Sequence, residues 1–111
     1  MSIRIHVAHV YQVDYSGDFG SFGNEQELIN GILYKLCPRM GFDGPDVHFA
    51  NNLDIEKGEL ANALAHAITH KDEITAMLKP AGYSVDLFIK ILCDWISRGD
   101  PRNSSVHLRW F

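Results

Sequence analysis

Cysteine is scarce in this chain, with only Cys37 and Cys93 in 111 residues. A disulfide-built scaffold of the small secreted kind is therefore excluded. Both cysteines fall in apolar helical patterns. Two buried free thiols in a reducing cytosol is the favoured reading, and a Cys37–Cys93 disulfide is the alternative. Long hydrophobic runs are missing too: no stretch of about 18 apolar residues exists to span a bilayer. The opening MSIRIHVAHV has neither the charged and apolar regions nor the cleavage site of a signal peptide, so the expected location is cytoplasmic, away from membranes. No GxSxG, paired-carboxylate or metal-hydrolase pattern occurs, and no enzyme is expected.

Positive charge is in short supply. Ten Lys and Arg face 14 Asp and Glu, for a net charge of −4. The imbalance is local: residues 14–59 hold nine acids against three bases, −6, which leaves +2 for the rest. Nucleic acid is a poor partner for such a surface, because phosphate contacts need a basic field. A basic protein is a good one.

What is present describes one globular domain over residues 1–111, long enough to bury a core without staples. Residues 3–15 alternate, with Ile3, Ile5, Val7, Tyr11, Val13 and Tyr15 on one face, which predicts a strand with one buried side. His9 falls on that buried face as a core histidine. Asn24 with Glu27 reads as a helix N-cap and capping box. Leu28, Ile29, Ile32, Leu33 and Leu36 form the stripe that follows, and Pro38 ends it. Gly31 inside this helix suggests close packing against a neighbour.

A loop with a short extended piece at Val47–Phe49 leads to Asp54, the expected cap of a second helix. Its core side is Leu60, Leu64, Ala67 and Ile68. That helix either runs on unbroken over 55–79 or splits near Lys71–Asp72. Ser84 opens a nearly all-apolar helix whose polar edge is Asp86, Lys90, Asp94 and Arg98, the central element of the core. Finally SSVHLRWF alternates again, with Val106, Leu108 and Trp110 inward. The expected fold is α+β: N- and C-terminal strands paired in a small sheet, with three or four helices on one face and the other face open.

Of three candidate ligand sites the phosphate loop fails on chemistry, the calcium loop is disfavoured, and the His66–His70 pair leaves a metal-dependent enzyme as the lowest-ranked alternative. Asp14, Ser16, Asp18 and Glu25 take positions one, three, five and twelve of a calcium loop, but Phe19 stands where the tight turn needs glycine. GDFGSFG precedes a helix but lacks the Lys and Ser/Thr of a phosphate loop, and neighbouring carboxylates would repel phosphate. His66 and His70 share a water-facing side of the second helix with Glu59 and Glu73, without a further strong ligand to complete a metal set. No cofactor or metal is expected.

Two surfaces remain. Arg4, His6, His107 and Arg109 would share the open sheet face beside Val10 and Phe111, a patch that could support a homodimer. In DYSGDFGSFGNEQE, aromatics alternate with glycines and acids, which combines rigid contact area with adaptable backbone and negative charge. With FDGPDVHFANNLDIEKGE and the closing SSVHLRWF, this stretch resembles small bacterial immunity proteins of the colicin or contact-dependent-inhibition type. The resemblance implies a cytosolic inhibitor that occludes a toxin domain, a basic nuclease above all. The expected contact residues are Asp14, Asp18, Phe19, Phe22, Glu25, Asp43, Asp46 and Glu59.

Overall fold

A computed structural model describes residues 5–8, 13–14, 25–99 and 101–110. Its strands are β1 (Ile5–Ala8), β2 (Val13–Asp14), β3 (Gly41–Phe42), β4 (Asn52–Glu56) and β5 (Ser105–Trp110). They form one antiparallel sheet in the order β2-β1-β5-β4-β3. The expected pairing of first and last strands is present, from Ile5↔Trp110 to Ala8↔His107. Strand β5 is the centre of the sheet, and its other side pairs with β4 through Leu53↔Leu108 and Ile55↔Val106. Alternation does the rest. Ile5, Val7, Leu53, Ile55, Val106, Leu108 and Trp110 are buried on one face, as period-two side chains require. Among the described residues the edge strands β2 and β3 are two residues each.

The helices are α1 (Gln26–Leu36), α2 (Lys57–Thr69), α3 (Lys71–Leu78) and α4 (Val85–Arg98). Strand and helices therefore make the α+β fold that the sequence implies. Helix α4 buries Phe88, Ile91, Leu92 and Trp95 completely. Ser84 caps it by accepting from the Leu87 N–H at 3.1 Å. Of its expected charge ladder, Arg98 and Asp94 pair at 2.7 Å, while Asp86 turns instead to Lys71 at 3.7 Å. Gly99 follows the helix at its C-cap, where a Cβ would stand 3.0 Å from Val106 Cγ2 and 3.2 Å from Lys57 Cε. Close approach, not a left-handed turn, is what favours glycine there.

Several expectations need correcting. The strand expected over residues 3–15 is two strands, since β1 and β2 pair antiparallel through Val7↔Asp14 and Ala8↔Val13. Alternation persists across a hairpin and so conceals the reversal. His9, Tyr11 and Tyr15 lie outside the described residues, as does Asn24. Helix α1 begins at Gln26 with Glu25 at its N-cap and no side-chain capping bond. Val47–Phe49 is a turn of 3-10 helix, not an extended piece.

Asp54 caps nothing, for it sits in mid-strand in β4, flanked by buried Leu53 and Ile55. The chain passes from β4 into α2 at once, and the Lys57 N–H is satisfied by Ser104 O at 2.8 Å. The long helix is split at His70, whose φ of −127° and ψ of 50° are not helical. Within α2 the buried stripe is Leu60, Ala63 and Ala67. Ile68, expected in the core, is 52% exposed, since at 100° per residue it swings away from that stripe.

Candidate functional site

Asn30 is the one polar side chain buried completely among the described residues, and it organises the surface of interest. It lies on the inner side of α1 between Ile29 and Gly31. Its amide nitrogen donates to Val47 O at 2.8 Å and Ala50 O at 2.9 Å, and its oxygen accepts from Trp110 Nε1 at 2.8 Å. A turn earlier, Gln26 Nε2 donates to Ala50 O at 2.6 Å and Asn51 Oδ1 at 3.0 Å. The Trp110 N–H closes the arrangement on Asn51 O at 2.8 Å. Helix α1, the 46–51 turn and the end of β5 are thus clamped by polar groups that would be costly to leave unpaired.

Two acids expected to touch a partner also shape this loop. The Asp43 carboxylate accepts from the Asn51 and Asn52 N–H groups at 2.8 and 3.1 Å and from Asn52 Nδ2 at 2.9 Å. These bonds, the Asn52 N–H foremost, hold its carboxyl below the usual carboxylate range. Asp46 Oδ1 accepts from the His48 N–H and faces His48 Nδ1, both at 2.9 Å. The His48 N–H is likewise the main reason its carboxyl is lowered. Both residues remain exposed, so each can order the loop and meet a ligand.

Asp46 also aims the His48 ring at Gly31. A Cβ on Gly31 would lie 3.1 Å from His48 Cδ2 and Nε2, which is the close neighbour that the helical glycine implied. On one side of the ring is a groove of about 670 Å³ whose lining includes Glu25, Gln26, Glu27, Leu28 and Phe49. On the other is a pocket of about 290 Å³ between Leu28, Gly31, Ile32, Lys35 and Met77. Glu27, Leu28 and His48 border both. Phe49 stands 63% exposed beside them. Carboxylates, an exposed aromatic ring and an apolar trough therefore share one shoulder of the molecule.

Of the residues expected to make contacts, the structure brings Glu25 and Asp46 to this shoulder and puts Asp43 in the loop behind it. Glu59 is elsewhere. It lies in the first turn of α2, where Cys37 Sγ donates to its backbone oxygen at 3.7 Å. Cys37 follows the C-terminal end of α1, about 18 Å along the helix from Glu25 at 1.5 Å per residue. Glu59 Oε2 is buried with no hydrogen-bond partner among the described residues. Burial, and then the Glu59 charge, push the Cys37 thiol up to about 12. Cys93, expected to be buried, is an exposed free thiol. Asp14 lies in β2 opposite Val7, and Asp18, Phe19 and Phe22 lie outside the described residues.

Asn30, His48 and Phe49 were not foreseen as site residues. Asn30 interrupts an apolar stripe, which was the available signal. Asp46-Val47-His48 has the spacing of an Asx turn, which would have fixed His48.

His66, His70 and His107 are committed to neighbours. His66 and His70 stack with centroids 4.2 Å apart and planes at 10°. His66 Nε2 meets Glu73 Oε2 at 3.2 Å, and His70 Nδ1 meets Thr69 Oγ1 at 2.8 Å. Among the described residues no group of three or more His, Cys, Asp or Glu is placed to hold a metal ion. On the open sheet face, His107 Nδ1 bonds Asp54 Oδ1 and its Nε2 meets Asn103 Nδ2 at 2.9 Å. Asn103 Oδ1 accepts from the Ser105 N–H at 3.0 Å, which fixes the amide with its nitrogen toward the ring. Nε2 is then the acceptor and Nδ1 carries the proton to Asp54. The patch expected to be basic here is in fact mixed, because the exposed Asp54 and Glu56 of β4 share this face, opposite His107 and Ser105, with the exposed Arg109 opposite Asn52. Arg4, Val10 and Phe111 lie outside the described residues.

No helix among the described residues is long and apolar enough to cross a membrane. No family model, curated protein or solved structure matches the chain.

Proposed function

We propose that this chain is a cytosolic binding protein that neutralises a bacterial toxin, a basic nuclease domain above all. The observation that carries the reading is the α1 shoulder, where Phe49 is 63% exposed on a loop clamped by Asn30 and flanked by Glu25, Glu27 and Asp46. Exposed aromatics on a preorganised backbone supply binding energy at small entropic cost. Surrounding carboxylates steer a basic partner and occupy the places its phosphates would take. The −6 charge of residues 14–59 supports the same assignment. The stretch with Asp18, Phe19 and Phe22 belongs to the proposed contact surface on its sequence chemistry.

The test is co-purification with basic nuclease toxin domains, followed by a nuclease assay. Stoichiometric chain abolishes cleavage if the reading holds. Asp18→Ala with Phe19→Ala, and separately Phe49→Ala, then weaken inhibition at least tenfold while the thermal melt stays within a few degrees. Turnover of a substrate by the isolated chain overturns the reading.

A second reading has its own observation. On the open face the exposed Asp54 and Glu56 of β4 lie opposite His107 and Ser105, and the exposed Arg109 lies further along β5 opposite Asn52, a mixture of charges that a two-fold axis could make self-complementary. A firm homodimer by sedimentation at micromolar concentration, broken by Arg109→Glu, supports an accessory protein that dimerises through its sheet.

A further inference from the structure

We infer that the trough across α1 receives one large apolar side chain from a partner protein, with a lysine or arginine on the Glu25–Glu27 side of it. The inference rests on the binding-protein reading above and names the surface and the partner chemistry.

Shape and lining come first. The pocket of about 290 Å³ is floored by Leu28, Ile32 and Met77 and by the bare backbone of Gly31. Leu28, Gly31 and Ile32 belong to α1 and Met77 to α3, so the pocket lies between two helices. The pocket shares Glu27, Leu28 and His48 with the larger groove, and the His48 ring is pinned by Asp46 and rests on Gly31. Such a trough gains most from one anchor that displaces water from all of these groups, with a polar rim closing round it.

Charge selects the occupant. Glu25 and Glu27 stand at the N-terminal end of α1, and Asp46 stands behind His48. Helix N-termini attract anions, but these carboxylates cancel that attraction and reverse it. Lys35 lies at the far end of the pocket, two turns along the helix from Glu27. The trough is therefore dipolar. A ligand must present cations at the Glu25–Glu27 end and none at the Lys35 end, so an acidic peptide is refused at the wider mouth. Other surfaces are weaker candidates. The His66–His70 stack is satisfied by Glu73 and Thr69, and the open sheet face carries mixed charge.

The probe is N-acetyl-Lys-Lys-Gly-Phe-Gly-Gly-amide, titrated into the isotope-labelled full chain and followed by amide NMR. Shifts concentrated at Glu27, Leu28, Gly31, Ile32, His48 and Met77 support the site. Replacing the peptide's Phe by Ala must weaken binding at least tenfold, and replacing both Lys by Glu must abolish it. Glu27→Lys must weaken binding severalfold, whereas Lys35→Glu must strengthen it. Both positions are exposed, so neither change threatens the fold.

Saturable shifts that map elsewhere, or a response that ignores the Phe, overturn this site and leave the basic-partner reading intact. If the chain shows no preference for the lysine peptide over its glutamate counterpart at any surface, the site and the reading fall together.

Discussion

The indole nitrogen of Trp110 donates a 2.8 Å hydrogen bond to the side-chain oxygen of Asn30, 80 residues earlier in the chain. Asn30 passes the connection on, since its own nitrogen holds Val47 O and Ala50 O. One amide thus joins the central strand, the first helix and the loop that carries Phe49. Asn30→Leu keeps the bulk but strands the Trp110 indole N–H and takes one donor each from Val47 O and Ala50 O, which keep the Ala50 N–H and Gln26 Nε2. The expected loss is about 2 kcal/mol, within the cost of about 1–3 kcal/mol for one unpaired buried group. Trp110→Phe leaves Asn30 Oδ1 unpaired and a void where the indole stood, so the two variants are compared through the double variant. Urea denaturation of all three should show a coupling of about 0.5 kcal/mol or more, and simple additivity would show that the indole bond to Asn30 contributes nothing.

Acid stability follows from Asp43. Its folded-state pKa is lowered, first by the Asn52 N–H. A lowered carboxyl stabilises the fold above its unfolded-state value and loses that contribution as pH falls through the folded-state value. Stability should therefore decline on going below about pH 4, the ordinary carboxylate range. Asp43→Asn cannot titrate, so its urea midpoint changes less between pH 6 and pH 3 than that of the unaltered chain. Asp46→Asn acts in the same direction, since its carboxyl is lowered by the His48 N–H.

Gly31→Ala sets two effects against each other. An alanine in a helix is worth about 1 kcal/mol over glycine, but its Cβ would stand 3.1 Å from the His48 ring. The net gain should be well under the propensity value, and the His48 ring signals should move in the NMR spectrum. A full gain with unmoved His48 signals would mean that the ring does not rest on Gly31.

The two thiols should behave differently. Cys93 is exposed and Cys37 is buried, and the Cys37 thiol is pushed up to about 12. A thiolate is the reactive form, so at pH 8 a colorimetric thiol reagent should titrate one group quickly and the second only after denaturant is added. Peptide mass mapping should place the first label on Cys93.

Much of the frame could be read from residue order alone. The greasy α4 is announced by its narrow charged edge, and β5 by the alternation of Val106, Leu108 and Trp110. Their neighbours were harder. β4 is five residues long and runs straight into α2, so Asp54 looked like a cap when Leu53 and Ile55 were already alternating. Period-two patterning does not record direction, which is why β1 and β2 merged into one strand. Within α2, Ile68 looked buried because hydrophobicity says nothing of where the partner helix lies.

The contact surface was legible only in part. Its acids could be read from composition, and Glu25 and Asp46 do stand at the shoulder. Phe49 could not be picked out, because an aromatic in a loop usually folds inward. What turns it outward is the bonding of Asn30 to Val47 and Ala50, a tertiary arrangement that no local pattern contains.

Strand β5 lies between β1 and β4 yet follows both in synthesis. A ribosome product cut short before Ser105 would consist of two half-sheets with nothing to join them, each showing raw edges and a greasy face. Such fragments would be recognised and degraded rather than accumulate as half-active material. The architecture thereby acts as its own proofreader, giving the cell a finished molecule or none.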